Sequence, residues 1–543
     1  MNEKERVKDT WKTRKKALME TGLCFCVFLL TLLLFVFVKP WIAPENIRTG
    51  VVAQTAMTIV VGACVGVGAY FALTKTLSVK RLVILLLVVG YALRVGYMLY
   101  SAASARQQDT YTANFDGHEA YAWTLFSTGK LPTTNDYQFY HPPLNALVQA
   151  GFMRFFQAIS GRLSAESFGY ARPDYIEARR YMLYSSCQIL SVVWSFIACV
   201  FSLKILNLFD FSGRVKGIVC AFVILYPRNI QFSGMLNNDG LSFMLAVLAL
   251  YFALKWWKCG KNFVDILLCA LAVGLGMMTK LSCATVCIPI AGIFIYEFVA
   301  TLSKEENALT LPKMILQYGL FLFVCAPIGL WFQVYAGIRF SQPFGYVFSN
   351  LNQKLYTGNH SFFSRFILCL DVNEYFGSLW CRPFEGNYYL FNYALRSSVF
   401  GEFAYWQGEG FAVLAVVLAY LAATLLFISL FYCAIWRFRS RKNRLFGTLN
   451  ADTVGVKDGI FAFLLMQSQV LSEIYFYIKM PYGCTMDFRY IMPMILAMAL
   501  CLGFTQKTLA EAGGKTAQTL DTLLTVSVVG FLTVSALFYC VCI

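Results

Sequence analysis

The chain has 543 residues, of which 58% are hydrophobic and only 14% are charged. An ordinary soluble domain carries about 25% charged residues, so this composition excludes the soluble enzyme classes and indicates a polytopic membrane protein. The net charge of +16 is expected to reflect membrane topology and attraction to anionic lipid headgroups, and it does not indicate nucleic-acid binding.

Apolar stretches long enough to cross a hydrocarbon core of ~30 Å recur along the chain, and they predict an all-α fold. We expect about thirteen transmembrane helices, the first of them retained as an anchor rather than removed as a signal peptide. Their predicted ranges are 22–38, 51–73, 82–103, 181–206, 216–232, 240–257, 263–279, 281–300, 314–335, 411–436, 459–478, 490–505 and 521–543.

The orientation follows from the N-terminal segment MNEKERVKDTWKTRKK, which contains seven Lys or Arg residues and is expected in the cytoplasm. Two long segments, 104–180 and 336–410, then lie on the extracytoplasmic face. We divide the chain into 1–80, which adds two transmembrane helices; 81–335, a core that includes the loop 104–180; the loop 336–410; and the C-terminal helices of 411–543.

The 18 cysteines are scattered, without a C-x-x-C pair or a regular spacing. We expect them to be small buried apolar residues. Cys381 and Cys484 both fall on the extracytoplasmic side of this topology, and they are the pair considered for a disulfide bond.

The two long loops differ in character. In 104–180, apolar residues at helical spacing follow His118 until Gly129 closes the pattern, and a second helix begins after Pro142 and Pro143. We expect both helices to lie along the membrane interface. The loop 336–410 is rich in Tyr, Phe, Trp and Asn, which suits either a lid over a sugar-binding cavity or an aromatic interface belt.

Polar residues cluster around the first of these helices. Asp116 and Glu119 lie at its start, and their spacing is also that of a capping box, which is the plain structural alternative. His141 follows Tyr140 and precedes two prolines. It is equally explained as an ordinary surface or packed histidine.

Further polar residues fall at the same outer ends of the predicted spans. Asn238 and Asp239 begin the sixth span, Lys280 interrupts a long apolar stretch, and Arg489 begins the twelfth span. The alternatives are helix N-caps for Asn238 or Asp239, snorkelling for Lys280 and interfacial anchoring for Arg489. Their convergence on one face favours a site there.

A carboxylate and a histidine near Lys and Arg at the lipid boundary suit the transfer of a sugar from a polyprenyl phosphate. The phosphate needs cationic partners at headgroup depth, and Lys280 and Arg489 have the right chemistry. The acceptor hydroxyl needs a general base, and we expect Asp116 to take its proton.

Four motifs occur in a fixed order: an acidic motif followed by YHPPL at 140–144, LNNDGLSFMLAVLALYFAL from Leu236, MMTKLS around Lys280 and FRYIMP from Phe488. Together they resemble GT-C-fold glycosyltransferases, in particular the bacterial relatives of protein O-mannosyltransferases and of the aminoarabinose transferase for lipid A, a group like glycosyltransferase family 39. The resemblance implies a GT-C fold and an enzyme that inverts the anomeric centre in one displacement.

The predicted site has Asp116, as general base, and Glu119 as catalytic residues, with Lys280 and Arg489 as lipid-phosphate ligands. Some relatives have Asp-Glu where this chain has Asp116–Gly117, so Glu119 is considered as the replacement. Some GT-C enzymes need a divalent metal, Mg or Mn, for which Asp116 and Glu119 are the candidate ligands. The predicted substrate-binding residues are His118, Tyr140, His141, Asn238 and Asp239.

The expected partners are a polyprenyl-phosphate sugar donor, membrane lipids and an extracytoplasmic acceptor. A bacterial plasma membrane is the expected location, and the eukaryotic endoplasmic reticulum is the alternative. The rival function is a transporter or flippase of lipid-linked or polar substrates, which Glu473 inside the eleventh span favours. A polymerase or ligase of surface polysaccharide would share the fold and the lipid carrier.

Overall fold

The computed structural model describes residues 3–41, 47–103, 109–110, 115–160, 175–347, 355–366, 388–401, 409–444 and 453–541. Within these ranges the regular structure is helical, and the β-structure is an isolated antiparallel bridge between Tyr356 and Tyr482. The all-α fold class is confirmed.

The helices, numbered along the described chain, are α1 (Glu3–Phe37), α2 (Ile47–Leu73), α3 (Val79–Tyr100), α4 (His118–Thr128), α5 (Leu144–Ile159), α6 (Tyr175–Ser185), α7 (Gln188–Leu206), α8 (Gly213–Leu225), α9 (Pro227–Gln231), α10 (Asp239–Lys258), α11 (Phe263–Thr279), α12 (Cys287–Leu302), α13 (Leu311–Phe340), α14 (Phe362–Phe366), α15 (Leu390–Phe400), α16 (Glu409–Arg444), α17 (Thr453–Lys479), α18 (Met494–Ala512) and α19 (Gly514–Val541).

Among the described residues, ten helices are long and apolar enough to cross a membrane, or eleven if the bent pair Gly483–Ile491 and Met494–Ala512 is one span. The chain is therefore an integral membrane protein. The count of about thirteen is not confirmed, because three predicted spans are short or interrupted. Pro227 begins a new helix inside 216–232, α11 has only 17 residues, and the chain bends by 60° near the start of 490–505.

The core of the bundle lies around α10. In the most apolar stretch of Asp239–Lys258, 72% of the residues are buried, against 17% for Met19–Phe37 and 6% for Val51–Leu73. The two N-terminal helices therefore lie at the periphery and expose apolar side chains, as lipid-facing helices do. The division of the chain into 1–80 and the later segments stays a prediction.

Arg94 on α3 is buried inside the bundle. Its guanidinium donates to the carbonyl oxygens of Gly90 at 2.8 Å and Ile224 at 3.0 Å, and to the hydroxyl of Ser195 at 2.8 Å. Arg94 thus stabilises the packing of α3 against α7 and α8.

The two helices predicted in the loop 104–180 are confirmed as α4 and α5. Gly129 ends α4 in a left-handed conformation with φ of 68°, which explains why glycine closes the pattern. Apolar side chains of the two helices, including Tyr121 and Ala150, pack together. Cys381 and the centre of the second loop lie outside the described residues, so the disulfide pairing and the lid stay predictions.

Candidate active site

Helix α4 begins against a short backbone segment, 109–110. The amides of His118 and Glu119 donate to the carbonyl oxygens of Asp109 at 3.0 Å and Thr110 at 3.1 Å. These bonds satisfy two of the amide donors that a helix start leaves without intrahelical partners. They also fix the backbone of Asp109 beside the start of α4.

Gly117 is the N-cap residue of α4, so the capping-box alternative, which placed Asp116 in that position, is wrong. A Cβ atom on Gly117 would lie 2.5 Å from the carbonyl oxygen of Thr110. Only glycine allows the segment 109–110 to approach this closely. The close approach is a physical reason why this chain has glycine where some relatives have a second acid.

Asp109 is the carboxylate that the fold brings to the predicted phosphate-binding residues. Its Oδ2 atom lies 3.2 Å from Nη1 of Arg489 and 3.7 Å from Nε2 of His118. Burial disfavours the charged carboxylate, but the cations Arg489 and Lys280 together with His118 outweigh this effect and lower the pKa of Asp109 below its ordinary value. Asp109 is therefore ionised at neutral pH.

His118 and His141 are stacked, with ring centroids 5.7 Å apart, and His141 also contacts the ring of Tyr140 at 4.0 Å. Burial lowers the pKa of His118 and holds that of His141 well below its ordinary value. Both imidazoles are accordingly neutral near pH 7 and act as hydrogen-bonding groups. The hydroxyl of Tyr121 donates to the carbonyl of His141 at 3.2 Å.

Asp239 and Lys280 form an ion pair where α10 begins and α11 ends. The Lys280 ammonium contacts the Asp239 carboxylate and also lies 4.5 Å from the centroid of the Tyr490 ring. Asn238 occupies the N-cap position of α10, but its side chain forms no capping hydrogen bond, and its side-chain amide instead donates to the carbonyl of Thr279 at 3.4 Å. Lys280 therefore points into the protein rather than snorkelling.

Arg489 is held in place by a second, fully buried ion pair. Both carboxylate oxygens of Asp487 lie 2.7 Å from Nη2 of Arg228, and Asp487 Oδ1 accepts the backbone amide of Arg489 at 3.0 Å. The Arg489 side chain also donates to the Tyr490 hydroxyl at 3.0 Å. Arg228 and Asp487 thus stabilise the turn that presents Arg489 to Asp109.

Glu119 is buried and paired with Arg180, whose two guanidinium nitrogens bind its two carboxylate oxygens. The guanidinium also lies 5.3 Å from the ring centroids of Phe115 and Trp123. This pairing gives Glu119 a structural contact that the sequence did not indicate. Its catalytic role stays a prediction.

Asp116 is half-buried beside the turn 137–140, and its carbonyl oxygen accepts the amide of Gln138 at 3.1 Å. Phe115 and Tyr137, next to these two residues, both have positive φ, 55° and 40°. Non-glycine residues seldom adopt this conformation, which is enriched at functional sites. Asp116 thus lies on a constrained loop, whereas Asp109 contacts the Arg489 guanidinium at 3.2 Å.

A small pocket opens next to the ion pairs. Its polar lining residues are Asp239, Ser242, Ser282, Thr285, Arg489 and Tyr490. Within the described ranges, no group of three or more His, Cys, Asp or Glu side chains is arranged to hold a metal ion. The proposed metal ligands Asp116 and Glu119 are therefore not supported by a third ligand there.

The fold and this site define an integral membrane protein with a charged, polar pocket at one end of its helix bundle. The family model for dolichyl-phosphate-mannose-protein mannosyltransferase matches residues 184–331. This match confirms the resemblance and supports a GT-C, mannosyltransferase-like protein: over these residues the chain is similar to the mannosyltransferases of that family. The matched range contains Asp239 and Lys280 but not Asp109 or Arg489. No curated protein and no solved structure matched the chain.

Proposed function

We propose that this protein transfers a sugar from a polyprenyl-phosphate donor to a hydroxyl group of a lipid, glycan or protein on the extracytoplasmic face of a bacterial plasma membrane. The N-terminus lies in the cytoplasm in this proposal. The supporting observation is that Lys280, Arg489 and the ionised Asp109 converge beside one polar pocket. The family match supports a lipid-linked donor.

In the proposed complex, Lys280 and Arg489 bind the donor phosphate. Each cation contacts an aspartate, Asp239 or Asp109, so the phosphate replaces or shares these carboxylate contacts. Charge-assisted bonds from a cation to a phosphate are short and strong, which favours the exchange. Tyr140, His141 and His118 lie along the same wall as Asp109 and contact the substrate.

The chemical step is one displacement at the anomeric carbon. A loop carboxylate takes the proton from the acceptor hydroxyl, and the acceptor oxygen forms the new glycosidic bond. The bond between the anomeric carbon and the phosphate oxygen breaks, and polyprenyl phosphate leaves with the electron pair. This single displacement inverts the anomeric centre.

Two aspartates are candidates for the base. Asp116 is the residue that the sequence predicts, and Asp109 is supported by its contacts with Arg489 and His118. Substitution to asparagine removes the proton acceptor and keeps the size of the side chain. Asp136, exposed on the same loop, provides the matched control.

The experiment measures transfer of radiolabelled mannose from polyprenyl-phosphate mannose in membranes of the native host that contain each variant. We expect the variant of the true base to lose at least 100-fold in turnover, since general base catalysis contributes typically 10²–10⁴-fold. Donor binding should be retained, and Asp136→Asn should transfer normally. If both Asp109→Asn and Asp116→Asn transfer at the wild-type rate, the proposed chemistry is wrong.

A further inference from the structure

Glu473 on α17 is an acid buried inside the helix bundle. The residue is 3% exposed, and neither carboxyl oxygen has a hydrogen-bond partner among the described residues. Other buried acids of the bundle are paired: Asp487 with Arg228, and Asp265 with Lys255. A buried acid without a partner destabilises the fold, so its presence calls for a function.

The residues one turn away on α17 contact the walls of the polar pocket. The side-chain amide of Gln469 donates to the hydroxyl of Thr285 at 3.2 Å, and the ring of Phe476 packs on Tyr490 with centroids 4.9 Å apart. Thr285 and Tyr490 both line the pocket. Glu473 lies between Gln469 and Phe476 on the same face of α17, and it is therefore close behind the side chains that line the pocket on the α17 side.

Two side chains at this position have oxygens without a hydrogen-bond partner in the described part of the chain: Glu473, with both carboxyl oxygens, and Gln469, with Oε1. A sugar hydroxyl can satisfy both groups, because it donates and accepts hydrogen bonds. Lys280 and Arg489, near the same pocket, supply the donors that a phosphate needs.

We propose that Glu473 and Gln469 form the subsite for the donor sugar and hydrogen-bond its hydroxyl groups. A carboxyl group with two free oxygens can hydrogen-bond two neighbouring hydroxyls of a sugar ring. The inference rests on the proposed function, because the sugar is placed next to the phosphate bound by Lys280 and Arg489. Glu473 is then a specificity-determining residue and not the base.

The test compares four lipids: undecaprenyl phosphate, and undecaprenyl phosphate that carries mannose, glucose or galactose. Binding to purified protein in nanodiscs is measured by native mass spectrometry. The variants are Glu473→Gln, Glu473→Leu and Lys280→Ala. Thr301→Val is the matched control, since it removes another buried, unbonded polar atom at the far end of α12.

We expect the wild-type protein to bind at least one sugar-bearing lipid more tightly than undecaprenyl phosphate. Glu473→Leu should weaken the binding of that lipid roughly 10- to 100-fold, the range of one or two hydrogen bonds, and leave the binding of undecaprenyl phosphate within about twofold. Glu473→Gln, which keeps one acceptor oxygen, should fall between. Thr301→Val should bind all lipids normally.

Stability gives a second readout. Because Glu473→Leu removes an unsatisfied acid from the bundle, it should resist unfolding as well as or better than the wild-type protein. A merely structural glutamate would give the opposite result. Loss of folding in Glu473→Leu, with Glu473→Gln keeping full sugar preference, would overturn the proposal.

The remaining outcomes separate this inference from the proposed function. If Glu473 variants lose both kinds of lipid equally, or if the wild-type protein shows no preference for any sugar, the sugar subsite is wrong and the phosphate site stands. If the wild-type protein binds no polyprenyl phosphate, or Lys280→Ala binds it normally, the phosphate site itself fails. The sugar subsite fails with it.

Discussion

The ion pair of Arg228 with Asp487 gives a stability prediction that can be worked out from the structure. Both side chains are at most 2% exposed, and two 2.7 Å contacts join them. Asp487 also accepts the backbone amide of Arg489. The pair therefore links α9 to the turn that carries a proposed phosphate ligand.

Replacing Arg228 by methionine leaves the Asp487 carboxylate buried without its cation. Breaking a buried pair from one side costs about 3–5 kcal/mol, because the remaining charge is uncompensated. Asp487→Asn likewise leaves the Arg228 guanidinium buried without its counter-ion, but the asparagine keeps an oxygen that can accept the Arg489 amide. We therefore expect this variant to lose about 3 kcal/mol of unfolding free energy, at the lower end of the range.

The double variant Arg228→Met with Asp487→Asn removes both charges and keeps that acceptor. It should be less destabilised than the sum of the single variants, with a coupling free energy of about 2–3 kcal/mol. The assay is unfolding of the purified protein by SDS in mixed micelles, followed by tryptophan fluorescence and repeated for all four proteins of the cycle.

Additive single variants would refute the reasoning. A coupling below about 0.5 kcal/mol is the level seen for independent sites, and it would mean that the pair contributes no specific interaction. Binding of undecaprenyl phosphate supplies the functional readout. The single variants should weaken it by misplacing Arg489, whereas Lys255→Met, which breaks an ion pair between α10 and α11, should not.

Three further predictions concern the loop around α4. Gly117→Ala pushes a Cβ against the Thr110 carbonyl. We expect it to lower the free energy of unfolding by about 1–3 kcal/mol and to slow sugar transfer. Normal transfer would contradict the role of this close approach. Arg180→Met leaves Glu119 buried without its cation and should destabilise the protein by about 3 kcal/mol. Adding Glu119→Gln should restore part of this stability in the same SDS titration. If Arg180→Met is as stable as the wild type, the pairing is contradicted. Burial holds the pKa of His141 well below the ordinary 6.5. Just below pH 6.5 the unfolded chain therefore binds more protons at this residue than the folded protein does. The stability that neutral His141 contributes is accordingly lost as the pH falls below about 6.5. His141→Gln should therefore lose less stability than the wild type between pH 7 and pH 5.5, and equal losses would show that this histidine is not the cause.

The sequence predicts local elements of this fold well. Helical spacing and a closing glycine define α4, and the proline pair marks the start of α5, because both signals lie within one helix. The span count is less accurate, since apolar composition does not reveal where Pro227 divides a stretch. It also does not reveal the 60° bend before α18.

The sequence does not predict those features of the site that depend on contacts between distant segments of the chain. Asp109 lies in a stretch without periodicity, and its contact with Arg489 joins residues 380 positions apart. The pairing of Glu119 with Arg180 likewise depends on how α4 packs against α6. Lys280 and Arg489 could be singled out from the sequence because each is a cation near the end of an apolar span, and their role as phosphate ligands stays a prediction.

The charge balance of the site links donor binding to the chemistry. Lys280, Arg489 and Arg228 each contact an aspartate, so the three cations of the site carry no net excess of positive charge for an incoming phosphate. A phosphate that binds Arg489 in the proposed complex competes with Asp109. Loss of that cation removes the main interaction that holds the pKa of Asp109 low, so the carboxylate becomes a better proton acceptor when the donor is bound. This coupling is useful to a transferase, because it favours proton removal only with a donor in place, and it has no evident use in a transporter. Glu473, which would favour a transporter if it lay on a separate path through the membrane, is instead one helical turn from Gln469 and Phe476, which contact residues that line the same pocket.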